Sequence, residues 1–199
     1  MRELAASRCE IAGFHFPDDP KFVSFVPLYR QWLDPARYTL IQVCTRTQGI
    51  MARPGNPKKV TGISDLTRRP IRFVNRQTES GSRVIFDELL KMQGIDNTAI
   101  KGYNDEEFTH VAVAAMIASG AADAGFGIAA AAARFKLHFV PLVQETYVLA
   151  VNNQDMDTTG KSLQKILRSR KFRKSIESLP GYDVHHAGTI LSARQVFSH

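Results

Sequence analysis

Ile71-Arg-Phe-Val-Asn-Arg-Gln-Thr-Glu-Ser-Gly-Ser-Arg83 is the stretch that decides the fold. Ile71, Phe73 and Val74 make a short apolar strand, bounded by a polar turn. Val84, Ile85, Leu89 and Met92 then recur at helical spacing up to Gly94, a residue suited to the left-handed turn that closes a helix. Strand, tight polar turn and helix in this order form one half of a βαβ unit. The pattern predicts α/β architecture with mostly parallel strands flanked by helices.

Outward from this centre the alternation continues. Downstream, Asn104 with Glu107 predicts an N-cap for a helix through Phe108, Val111, Ala115 and Ile117 to Gly120. Ala122–Gly127 reads as a small-residue strand leading to a helix at Ala129–Ala133. Leu137–Leu142 and Thr146–Val151 read as two further strands, and Lys161–Leu179 as one helix. Upstream, Cys9–Phe14, Tyr38–Cys44 and Gly49–Ala52 read as strands. Phe22, Phe25, Val26, Tyr29, Trp32 and Leu33 give one apolar helix face, and Pro54-Gly-Asn-Pro57 forces a turn.

Composition fits a soluble globular chain: 199 residues, 44% hydrophobic and 23% charged. No run reaches the ~18 apolar residues of a membrane span, and no secretory signal follows Met1. The two cysteines, Cys9 and Cys44, lack metal-ligand spacing. A cytoplasmic chain with reduced thiols and no membrane partner is the expectation. Twenty-six Lys and Arg against nineteen Asp and Glu give +7, which suits nucleic acid, an anionic surface or a small anion. Lys161, Lys165, Arg168, Arg170, Lys171, Arg173 and Lys174 fall in a segment without an acid. That segment reads as a solvated helix face or as a partner contact.

Ser80-Gly81-Ser82 opens the central helix. The first turn of a helix has unpaired N–H groups and a partial positive charge, so it receives anions. Gly81 permits close approach, and Ser80 and Ser82 add hydroxyls; alternatively Ser80 simply caps the helix. No Ser-His-Asp, Cys-His or paired-carboxylate arrangement is legible, so catalysis has no positive support.

Val74-Asn-Arg-Gln77 with Ser80–Arg83 resembles the Asn-Arg-x-x-Gly-Ser-Gly-Thr-Arg run of a known family. This is the periplasmic-binding-protein-like, type II solute-receptor domain at the C-terminus of some molybdopterin-biosynthesis proteins and behind helix-turn-helix domains of bacterial regulators. Thr45–Ile50, Gly55-Asn-Pro57, Asp65-Leu66, Gly102-Tyr103, Glu107, Thr109-His110, Ala122–Ile128 and Gly181-Tyr-Asp183 match further family segments in order. The resemblance implies two α/β lobes joined by two crossover strands, with ligand in the cleft. One lobe would be residues 72–144, the other 1–71 with 145–199. Met1–His15 resembles an internal family stretch, so the expectation is a first lobe lacking its usual first strand and helix. A second departure is Glu79, which stands where the family has glycine.

The resemblance implies a small oxyanion ligand, molybdate or tungstate, and no cofactor. Ser80, Gly81, Ser82, Arg83, Arg76, Gln77 and His110 would line the central lobe's part of the site. His15 would face the ligand or be a loop histidine satisfied by Asp18. Arg46 and Gln48 would reach the cleft or serve a structural pair, and Glu145 and Tyr147 would contact ligand or form a hinge. The implied functions are cytoplasmic ligand sensing tied to molybdenum-cofactor metabolism or transcription, or an ABC-type solute receptor. A DNA-binding domain on another chain or an upstream segment, and a homodimer, are expected partners. The third reading is nucleic-acid binding by the 161–174 helix, lost on replacing Arg168, Arg170 and Lys171.

Overall fold

The computed structural model describes residues 1–22, 25–192 and 196. In chain order its elements are α1 (Arg2–Ala5), β1 (Ile11–Pro17), α2 (Phe25–Arg30), β2 (Tyr38–Ala52), β3 (Phe73–Arg76) and α3 (Gly81–Met92). There follow β4 (Glu106–Glu107), α4 (His110–Ala118), β5 (Ala124–Ile128), α5 (Ala129–Arg134) and β6 (His138–Asn152). The last are α6 (Lys161–Leu167), α7 (Arg170–Glu177), β7 (Tyr182–Asp183) and β8 (Ile190–Leu191). Phe25 and Val26 of the expected apolar helix face have side chains outside the described ones.

The chain divides into two compact units, residues 1–46 with 144–199, and residues 47–143. Residues 47–71, expected with the flanking segments, fall in the central unit, because Gln48–Ala52 pairs with Ile128–Ala124 of β5. In the central unit β3 lies between β4 and β5, parallel to both. Phe86 of α3 stacks on Phe73 at 4.8 Å and meets Phe126 at 5.4 Å. Alternate residues point to the other face, where Val74 and Met51 pack with Val113, Ala114 and Ile117 of α4. The two helices therefore take opposite faces, as a βα alternation requires.

In the other unit β1 and β6 form an antiparallel ladder from Ile11↔Val151 to Pro17↔Glu145. One core gathers Leu4, Phe14, Leu33, Tyr38, Leu40, Val148 and Ala150. A second holds Ile41, Val43, Leu167 and Val184, with Phe172 and Ile176 of α7 packed against it.

Five local expectations are corrected. The α/β class stands, but the strands are mixed rather than mostly parallel: β1–β6, β2–β5, β2–β7 and β2–β8 are antiparallel. Tyr38–Cys44 and Gly49–Ala52 are one strand, β2, since pairing with β7 and β5 carries the backbone through polar Thr45–Gln48. Leu137–Leu142 and Thr146–Val151 likewise merge into β6. The basic helix breaks after Leu167, where the Ser169 side chain accepts from Phe172 N and starts α7 afresh. Finally, α4 is capped by Thr109 rather than Asn104, because Glu106 and Glu107 pair with Asn75 and Arg76.

Candidate ligand-binding site

The central unit brings eight of the sequence-selected residues to one region, the carboxyl edge of β3 and β5, where ligands collect in open α/β sheets. Ser80 caps α3, its Oγ accepting from Arg83 N at 3.2 Å. Gly81 and Ser82 form the first turn, and Ser82 is buried with its Oγ 3.4 Å from His110 Nε2. His110 is itself the first residue of α4. Two helix starts thus meet side by side, each with the unpaired N–H groups and partial positive charge of a first turn. Gly127 makes room for this: a Cβ there would stand 3.1 Å from His110 Nδ1 and 2.7 Å from Met51 Cε.

Gln48 is placed at the same edge by its pairing with Ile128, the last residue of β5. Its side chain is fully buried, and neither Oε1 nor Nε2 has a hydrogen-bond partner. Buried polar groups in folded proteins are otherwise nearly always satisfied.

Arg76, Gln77 and Arg83 frame this edge. Arg76 donates to the Phe108 carbonyl at 2.9 Å and to Gln77 Oε1 at 3.2 Å, which fixes the approach to α4. The Arg83 guanidinium lies over the Tyr103 ring at 4.0 Å and bonds Asp87, Glu106 and the Arg76 carbonyl. Two carboxylates, Asp87 and Glu106, offset its charge. The turn before the cap explains the family's glycine, since Glu79 sits at φ 72°. Its carboxylate is exposed rather than turned inward. A left-handed L-residue costs about 1–2 kcal/mol, partly offset by glycine's greater entropy loss. Glu79→Gly is therefore expected to stabilise the protein by about 0.5–1 kcal/mol, read as a higher urea midpoint at unchanged m-value. A lower midpoint would contradict the strain at this turn.

The remaining four residues, His15, Arg46, Glu145 and Tyr147, gather in the other unit. Glu145 is fully buried; its Oε2 lies 2.6 Å from His15 Nδ1, and its Oε1 accepts from Arg46 Nε. Burial alone would push the Glu145 carboxyl up, but His15 and then Arg46 outweigh it and hold the group at about 2. His15 therefore pairs with Glu145, while Asp18 accepts from Thr146 Oγ1. Tyr147 stands opposite His15 in the ladder, with the Arg46 guanidinium 5.9 Å from its ring centre. Tyr29, which no local sequence pattern singles out as a site residue, joins this group; its hydroxyl donates to the His15 carbonyl at 2.6 Å.

Residues 1–169 match the PBP superfamily domain. The chain belongs to this superfamily. An uncharacterized protein of Bacillus subtilis, YvgK, is 32% identical over 189 residues, or 95% of this chain and 61% of that protein. The chain thus spans about three fifths of that relative's length. An uncharacterized protein from the 5′ region of a ferredoxin gene of Clostridium pasteurianum is 36% identical over 111 residues, 55% of this chain and 98% of its own. Among solved structures, a substrate-binding protein assigned to a phosphate ABC transporter of Clostridium perfringens, with phosphate bound, has a TM-score of 0.62 at 11% identity. It matches over 88% of this chain and 79% of its own. A substrate-binding domain assigned to a molybdenum ABC transporter of Clostridium difficile gives 0.53 at 18% identity, over 92% and 80%. The effector-binding domain of a BenM variant gives 0.57 at 14%, over 92% and 79%. These likenesses show the PBP-like, solute-binding fold. No helix among the described residues is long and apolar enough to cross a membrane.

Proposed function

We propose that this PBP-like chain is a cytoplasmic binding domain for a small oxyanion, molybdate or tungstate, which reports occupancy to molybdenum-cofactor metabolism or transcription. The site is the edge where α3 and α4 begin, with Gly81, Ser82, His110 and Gln48 as ligands. The observation that carries it is the Gln48 amide, buried without a hydrogen-bond partner on the residue that β2 sets opposite Ile128, at the end of β5. An unsatisfied buried group costs about 1–3 kcal/mol, and a ligand removes that cost by pairing with it.

Gln48 offers an acceptor as well as donors. Fully deprotonated molybdate, tungstate or sulfate engages only Nε2, whereas hydrogen phosphate or a hydroxy acid engages both ends. This supports the alternative of a solute receptor of an ABC-type transporter, the role for which two of the similar structures are named. Calorimetry and thermal unfolding with molybdate, tungstate, sulfate, phosphate and organic acids test both. A ligand at about 100 times its Kd raises stability by about 2.7 kcal/mol. Ser82→Ala and Gly81→Val should weaken the response. A folded protein indifferent to every one of these anions overturns the proposal. A partner carrying a DNA-binding domain, and a homodimer, belong to the sensing role and are read by co-purification and by solution mass.

A further inference from the structure

Arg170, Arg173, Lys174 and Glu177 of α7 are spaced i, i+3, i+4, i+7 and share one flank of the helix. With Arg168 they line a groove of about 470 Å³. Phe172 and Ile176, on the opposite flank, pack into the core of Ile41, Val43, Leu167 and Val184. That packing fixes the helix's rotation and turns the basic flank away from the core. Arg168 is held as well: it donates to the Gly188 carbonyl at 2.9 Å, an oxygen that Gln164 Nε2 also reaches at 3.0 Å. Gly188, at φ 78°, makes room for it, since a Cβ would lie 2.7 Å from Arg168 Cγ. Arg170 and Lys174 are exposed and Arg173 is half-buried.

We infer that this flank of α7 is a docking surface for the phosphodiester backbone of nucleic acid. Three of its four cations are arginines, whose planar forks engage phosphate oxygens bidentately. From 170 to 177 the helix advances roughly 10 Å. Duplex DNA carries a charge every ~1.7 Å of axis, so such a stripe faces several phosphates at once. A lipid surface would call for apolar side chains within the patch. None lines the groove; its one non-basic residue is Glu177. The surface is independent of the oxyanion site, and neither depends on the other being occupied.

The test is fluorescence anisotropy with a labelled duplex of roughly 20 base pairs, across a salt series. Binding should be seen at about 50 mM salt and weaken with a log–log slope near −3 to −4 for four cations. Arg170→Glu with Arg173→Glu and Lys174→Glu should lower affinity by about tenfold or more. Because Arg173 also approaches the His185 carbonyl at 3.5 Å, the pair Arg170→Glu and Lys174→Glu, both exposed, provides a variant with the fold undisturbed. No duplex binding by folded protein, binding unchanged in both variants, or preference for phosphatidylserine vesicles or polyglutamate over duplex would each overturn the inference.

Discussion

Glu145→Ala is expected to lose about 3–5 kcal/mol of stability, a large part of what a domain of this size has to lose. The side chain is fully buried between Arg46 and His15, which are themselves only 15% and 19% exposed. Removing the carboxylate leaves the largely buried Arg46 guanidinium without its counter-charge and the His15 ring without its partner. Glu145→Gln, which keeps the volume and one acceptor, should cost less. The acid limb gives a separate check. A carboxyl depressed from 4.5 to about 2 binds its proton more readily in the unfolded chain. It therefore contributes stability in full above about pH 4.5 and loses it progressively as pH falls towards 2. That contribution is on the order of 3 kcal/mol. Asp18 works in the opposite sense, because burial raises its carboxyl despite the bond from Thr146. Wild-type and Glu145→Gln acid-unfolding curves should therefore separate in this window; superimposable curves would refute the stabilising role of the buried Glu145 carboxylate.

The second large effect has the opposite sign. Gln48→Met replaces two unsatisfied buried polar atoms with an apolar side chain of similar volume. Since an unsatisfied buried polar group of this kind costs about 1–3 kcal/mol, the unliganded protein should become more stable by an amount in that range. At the same time the ~2.7 kcal/mol gain from saturating anion should shrink or vanish. A substitution that raises resting stability and removes the response to ligand is the signature of a binding group. One that lowers resting stability would place Gln48 among ordinary structural residues.

How much of this was legible in the sequence depends on how far apart the partners lie. The central unit's helix boundaries were readable because they are local: Ser80 caps α3, and Gly94 closes its end at φ 64°. Local rules failed where two caps competed. Asn104 and Thr109 are equally good on paper, and β4's pairing with β3 decided between them. The break at Ser169 was hidden by uniformly helix-favouring basic neighbours; the Ser-x-x-Phe cap at 169–172 was its only signal. Residue types at the candidate site were likewise accessible, whereas partnership was not. Nothing in the spacing of residues 15, 46 and 145 says that one carboxylate joins an arginine and a histidine. That follows from strand register, which periodicity leaves open. The isolation of the Gln48 amide is also a property of packing and has no sequence signature at all.

The division of the chain has a consequence for the order in which the protein forms during synthesis. The 47–143 unit is contiguous, so its pairings of β3, β4 and β5 and the helix α3 are complete once residue 143 has left the ribosome. The other unit waits: Ile11 pairs with Val151 and Leu40 with Leu191, both beyond residue 143. Strand β1, which precedes the central unit in the chain, spends the whole translation of that unit without its β6 neighbour, an exposed edge able to pair wrongly. Closing so long a loop on an already compact insert costs less than closing it on a coil, because the insert shortens the effective tether. Early folding of the central unit would thus act as an internal chaperone for the strands on either side of it.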